Sequence, residues 1–261
     1  MALQIRSMFS ALILSLVSLT SQAGSQANAP PNHAPEKIIQ FAKDVEKSLA
    51  QRGARVAILA RVGEPRSDLP KGIRYTHTAL AVYSQIESTE GKKTRGYMIY
   101  NLYQTPGKDD RSELVRDFPV DFFAGVYDLK AGIIIPSSTL QQRLLSVINS
   151  HTYQKLHNPR YSLIANPFTL GYQNCTEHTL DVITSAIYRT DNIKQIKAYQ
   201  KAHFKPQRVH ISSTKLALGS MFVKSITTSD HPSRPVTATF STIGDFLKEN
   251  NAVKYVYHLS Q

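Results

Sequence analysis

Apolar and polar positions divide the chain into blocks of different period. Ile38, Phe41, Ala42, Val45 and Leu49 recur at helical spacing, Pro35 suits a first helical position and Gly53 a stop. The spacing predicts an amphipathic helix over 36–52. Residues 56–62 form an apolar run with Arg61 its one charge, the pattern of a buried strand. Segments 75–83 and 97–103 are rich in β-branched and aromatic residues and flank a polar loop, 87–95; they predict neighbouring antiparallel strands. A short strand at 132–135 stops at Pro136, after which Ser137 or Ser138 can cap a helix reaching Ile148. A long loop over 151–173, with two Asn-Pro pairs, leads into the next helix. There Asn174 and Glu177 stand at capping-box spacing, and Leu180, Ile183 and Ile187, with Val182 and Ala186, supply the apolar stripe. A further helix is predicted over 193–204, then strands near 207–226, 235–241 and 252–259 around a short helix at 242–249. The pattern is mixed α+β, helix-led in its core and strand-rich toward the C-terminus.

The N-terminus has a different logic. Arg6 is the only charge before an apolar run from Met8 to Leu19, and Ser21-Gln22-Ala23 is a small-residue cleavage site. The run is shorter than the roughly twenty residues a spanning helix needs. Residues 1–23 are therefore expected to be a secretory signal cleaved after Ala23, 24–34 a flexible leader, and 35–261 a single domain. With Cys175 the sole cysteine, no lipid-acceptor thiol lies at the junction, and the mature protein is expected to be periplasmic or secreted. The formal net charge of +12 is uneven: residues 191–261 hold ten Lys and Arg against four Asp and Glu. A basic C-terminal third suits peripheral contact with an anionic envelope surface, and equally suits plain solubility. The sequence carries no zinc-finger, aromatic RNA-binding or helix-turn-helix signature, so no nucleic acid is expected as a partner.

Candidate chemistry centres on the thiol. Asn174 as N-cap makes Cys175 the first helical residue, where the helix dipole favours a thiolate and the orphan backbone N–H groups can hold an oxyanion. The alternative is a buried cysteine acting as a small hydrophobe. A thiol nucleophile needs a base. His33 is in the leader, His151, His157 and His231 are in loops, and His178 sits one turn further along the same helix. His77 lies within the strand-like segment 74–83, on a face shared with Ala79 and Ala81 that leaves space beside the imidazole. A half-exposed strand histidine satisfied by its neighbours is the plainer explanation of the same pattern.

The segment Asn174-Cys175-Thr176-Glu177-His178 resembles the Asn-Cys-Glu-His segment of lecithin:retinol acyltransferase-like proteins, in the circularly permuted branch of the NlpC-type, papain-like cysteine hydrolases. In that branch the base histidine opens a strand well before the cysteine, as His77-Thr78-Ala79 does here, and a polar residue follows on the next strand, as Asn101 does. Over most of its mature length the chain also resembles a family of secreted bacterial proteins of unknown function in the same superfamily. The resemblance implies a papain-like (permuted NlpC-type) fold, with an antiparallel sheet packed on the cysteine helix. It implies Cys175 as nucleophile, His77 as general base then acid, and Asn101 as the residue orienting the imidazole. Thr176 interrupts the strict order, so no role carries over to Glu177 or His178. Gln173 and Tyr172, close in sequence, are candidates for an oxyanion hole.

Other chemistries fit less well. Ser212-Ser213-Thr214-Lys215 matches the S-x-x-K motif of penicillin-binding enzymes, but its S-D-N and K-T-G companions are missing. No H-E-x-x-H is present, and no metal or cofactor is expected. The expected function is an exported cysteine hydrolase cleaving an amide or ester through a thioester, with cell-wall peptide as leading substrate and an envelope lipid second. The competing expectation is a non-catalytic papain-like binding or scaffold module at the cell envelope. N-terminal sequencing of the protein recovered from the periplasm or medium should begin at Gly24; an intact N-terminus there would overturn the cleavage site.

Overall fold

A computed structural model describes residues 31–87, 89–210 and 225–261. The expected signal at 1–23, leader residues 24–30, the Ser212–Lys215 motif and most of the strand expected at 207–226 lie outside the described residues. The chain opens with α1 (Pro35–Gln51) and β1 (Val56–Val62), then β2 (His77–Glu87), β3 (Lys93–Gln104) and β4 (Ser112–Asp117). Next come α2 (Pro119–Ala124), β5 (Asp128–Pro136), α3 (Ser138–Ile148), α4 (Thr152–Lys155), α5 (Cys175–Tyr188) and α6 (Ile193–His203). A short pairing of β6 (Gln207–Arg208) with β7 (Val236–Thr237) precedes α7 (Phe240–Glu249) and β8 (Val253–Ser260). The fold is mixed α+β, built on a six-stranded antiparallel sheet in the order β4-β3-β2-β1-β5-β8.

Helices cover both faces of this sheet, and that explains the apolar run of β1. Ala57 and Leu59 pack with α1 and α2 on one face, while Val56 and Ile58 pack with α3, α5 and α7 on the other. Pro35 stands in the first turn of α1, and Gly53, at φ 62°, takes the left-handed conformation just past its end. Ser137 caps α3 by accepting the Leu140 N–H. The β2–β3 hairpin keeps its register out to Glu87↔Lys93, so most of the expected polar loop 87–95 is strand or tight turn.

The C-terminal part has the expected helix and final strand, but the strand expected at 235–241 is shorter. Among the described residues, β6 and β7 have two residues each, and residues 240–241 begin α7, whose cap is Thr239. Only β8 is long, and it completes the main sheet against β5. Among the described residues after Pro235, the apolar side chains of α7 fill the α3–α5 face of the sheet, and β8 stands at its edge. The loop at 151–173 carries α4 and is tied down by single bridges, Arg111 to Arg160 and Tyr161 to Gln173.

From Cys175 to Ala186 helix α5 has no solvent face: every residue is buried. Its apolar side chains reach the core as expected, with Ile187 only partly buried. Its acidic residues are satisfied from α6, where Lys197 Nζ lies 2.7 Å from both Glu177 Oε1 and Asp181 Oδ1. The capping box therefore forms by half. Asn174 Oδ1 accepts the Glu177 N–H at 2.9 Å, but the Glu177 carboxylate turns to Lys197 instead of returning to the cap. Burial pushes Glu177 up to about 8, against the pull of Lys197. Removing one partner of a buried ion cluster strands the others, which costs about 3–5 kcal/mol. Lys197→Met should lower stability by that order in urea unfolding. Lys205→Met, which breaks an exposed pair with Glu249, should leave the midpoint nearly unchanged.

Candidate active site

Strand β2 pairs with β1 from its first residue, His77↔Arg61, but its pairing with β3 starts only at Leu80↔Tyr100. Residues 101–104 of β3 pair with β4 instead. The two strands part at this end, and the N-terminus of α5 meets them there. Cys175 packs on Leu102 and Tyr161. Its sulfur receives the backbone N–H of Thr78, and the hydroxyl of the adjacent Thr176 donates to Thr78 Oγ1 at 3.3 Å. The thiol thus abuts the residue next to His77. No hydrogen bond joins Cys175 to His77: the imidazole Nδ1 is buried without a hydrogen-bond partner.

The other ring nitrogen is committed. His77 Nε2 lies 2.9 Å from Asn101 Oδ1, and Asn101 Nδ2 donates to Asp117 Oδ1 at 2.6 Å. The second carboxylate oxygen accepts the Tyr103 hydroxyl at 2.9 Å. With Asp117 ionised both of its oxygens are acceptors, and Asn101 then presents its NH₂ to Asp117 and its carbonyl to His77. A carbonyl only accepts, so the imidazole proton sits on Nε2 and Nδ1 keeps a bare lone pair. The Tyr103 ring stacks on the imidazole, with centroids 4.9 Å apart and planes 9° apart, and Phe122 closes in at 5.6 Å. The space expected beside the small alanines is filled by these rings.

Burial dominates the electrostatics. The exposures of Cys175, His77 and Asn101 are 4%, 0% and 0%. Burial lowers the His77 pKa well below the ordinary value, and the buried Arg61 guanidinium lowers it further. Arg61 is held over the Tyr103 and Phe122 rings and donates to the Phe122 carbonyl. Burial likewise raises the Cys175 thiol, outweighing the N–H of Thr78 and the Thr176 contacts that favour a thiolate. The thiolate expected from the helix dipole is therefore absent at rest. Desolvation is the larger effect, and it favours the neutral thiol and the neutral imidazole.

Of the predicted residues, the structure brings Cys175, His77 and Asn101 to one end of β2. It does not bring Gln173 or Tyr172 into use there. The Gln173 side chain bonds Leu156, Asn158 and Asp181, and its own N–H goes to the Arg160 carbonyl. The Tyr172 hydroxyl is at the surface with Arg160 and Ser229. His178 is buried against Tyr153 and pushed down to about 3, mainly by burial. Sequence reasoning missed Arg61, Tyr103 and Asp117. Arg61 left a signal, as the one charge in the run 56–62. Asp117 left none, since its approach to Asn101 depends on the β3–β4 register.

The family model of bacterial uncharacterised proteins conserved in bacteria, DUF2145, matches residues 48–247. The chain belongs to this family. The DUF2145 span contains Arg61, His77, Asn101, Asp117 and Cys175, and leaves out most of α1 and all of β8. No curated protein and no solved structure matches the chain. Among the described residues, no helix is long and apolar enough to cross a membrane, and no three His, Cys, Asp or Glu side chains are grouped to hold a metal ion.

Burial pushes Asp117 up to about 7, although Tyr103, Arg61 and Asn101 pull the other way. A carboxyl raised in the folded state contributes stability that is fully present below its unfolded value and lost as pH rises through the folded one. The unfolding free energy of the protein minus that of Asp117→Asn should therefore fall as pH rises from about 4 to about 7. Urea titrations at a series of pH values measure it, and a flat difference would return Asp117 to an ordinary carboxyl.

Proposed function

We propose that this DUF2145 protein is an exported cysteine hydrolase of the papain-like, permuted NlpC type, cleaving an amide or ester. The observation that carries this reading is the unpartnered Nδ1 of His77, whose Nε2 is engaged by Asn101. The Asn101–Asp117 pair holds the proton on Nε2 and leaves an unpartnered lone pair on Nδ1, at the strand end that abuts the Cys175 thiol. These features support a reading of Cys175 as nucleophile, His77 as base and Asn101 as orienter. Asp117 extends it by one residue, acting through Asn101 as a positioning residue.

In this reaction Cys175 Sγ attacks the carbonyl carbon while its proton passes to His77 Nδ1. The tetrahedral adduct collapses to a thioester as the C–N or C–O bond breaks, and Nδ1–H protonates the leaving group. Water then attacks the thioester, giving its proton to Nδ1; the acid departs and the proton returns to sulfur. A neutral resting pair suits this order, because burial, with Arg61 adding to it, keeps the imidazole free of its second proton until the attack. The thiol is 4% exposed, so a carbonyl reaches it only when the packing by Leu102 and Tyr161 opens. With export, cell-wall peptide is the leading substrate class and an envelope lipid ester the second.

The same burial favours a second reading, in which Cys175 is a packed thiol and the domain a binding or scaffold module. The two separate with p-nitrophenyl acetate as probe. The hydrolase reading expects one acetyl group on Cys175 by intact mass, with nitrophenolate release. The rate should fall about 10²–10⁴-fold in His77→Ala and vanish in Cys175→Ser, with circular dichroism showing that both variants are folded at the assay temperature. Acylation that is absent, or equally fast in His77→Ala, leaves the scaffold reading standing.

A further inference from the structure

Apart from that site, positive charge gathers around a cleft of about 380 Å³ at the end of the sheet where β1 finishes and β2 begins. Arg66, Arg74, Lys130 and His258 line it, with Asp128 the carboxylate among the lining residues. No ion pair joins the two arginines or the lysine to a carboxylate among the described residues. Val62, Leu69 and Tyr75 supply an apolar wall.

The wall is built with some care for space. A Cβ on Gly132 of β5 would stand 2.8 Å from Tyr75 Cζ and 2.8 Å from Phe240 Cε1. The bare backbone there lets the Tyr75 ring lie across β5. The ring packs edge-on against Phe240 at 5.0 Å and stacks on His258 at 5.9 Å. Its hydroxyl meets His258 Nδ1 at 2.7 Å, which leaves Nε2 as the remaining polar atom of the imidazole. His258 registers the local field: burial, then the charges of Lys130 and Arg74, lower its pKa.

Two arginine forks, a lysine and an imidazole outnumber the single carboxylate. They offer more donors than a carboxylate ligand's two oxygens can use, and match a tetrahedral dianion. The volume lies within the range of small-ligand sites. We infer that this cleft binds the phosphate group of a small phosphorylated molecule or a phospholipid headgroup, with Arg74, Lys130 and His258 as its principal donors. None of these residues belongs to the hydrolase chemistry, so the inference stands or falls separately from it.

The test is an NMR titration of the full chain with inorganic phosphate at constant ionic strength, following the His258 ring protons. Sedimentation with phosphatidylglycerol and with phosphatidylcholine vesicles runs in parallel. The expected result is a saturable shift at His258, weakened at least tenfold in Arg74→Gln and in Lys130→Gln. Both substituted side chains are exposed, and an unchanged thermal midpoint confirms that the variants fold. Saturation by free phosphate without vesicle binding assigns a soluble ligand. Sedimentation with phosphatidylglycerol alone that both variants lose assigns a headgroup. A response reproduced by chloride at equal ionic strength, or unchanged by both substitutions, overturns the inference, as does the absence of both kinds of binding.

Discussion

The burial of α5 is the constraint from which most of the interior follows. A helix buried from Cys175 to Ala186 must find partners for its polar groups inside the protein, and most of them do, Glu177 Oε2 and the His178 ring nitrogens excepted. Asn174 closes the first turn by accepting the Glu177 N–H, and the Thr179 and Thr184 hydroxyls donate back to the carbonyls of Cys175 and Leu180. The acidic residues call Lys197 and Gln200 out of α6, which fixes how that helix packs. Gln173, just ahead of the cap, is drawn into the same cluster through Asp181, and so cannot serve the thiol. The burial that organises the core also carries Cys175 into the gap between β2 and β3.

The same dryness decides the chemistry available there. In an exposed site the helix dipole would favour a thiolate; here desolvation raises the thiol and lowers the imidazole, and both rest neutral. Arg61 stands where a positive charge is costly to bury. Its guanidinium is spread over two aromatic rings and bonded to the Phe122 carbonyl, and it opposes protonation of His77. What the site stores is geometry rather than charge: a lone pair on Nδ1 held in one direction by a chain running through Asn101 to Asp117 and Tyr103. Opposite electrostatics mark the neighbouring cleft, where Arg66, Arg74 and Lys130 remain exposed and hydrated and carry their charge at little cost.

Legibility in the sequence tracked how local each determinant was. Helix α1, with Pro35 and Gly53 at its ends, and the buried strand β1 could be read because period, cap and stop lie within one segment. Asn174 as a cap and Cys175 at the first helical position were legible for the same reason. The strand expected at 235–241 ran too long because a short β-branched run around Thr237 looks alike whether it extends or turns into a capped helix. The choice was made by the sheet face that α7 covers.

By itself, then, the sequence determined the elements with strong internal periodicity and the candidates His77, Asn101 and Cys175. Only the tertiary structure decided that β2 and β3 separate beyond Leu80, that Asp117 reaches Asn101 across the β3–β4 register, and that rings rather than water surround His77. The physical reason is range. Caps and hydrophobic period act over a few residues of chain, whereas register, desolvation and the field of a buried Arg61 arise between segments whose distances no local pattern records.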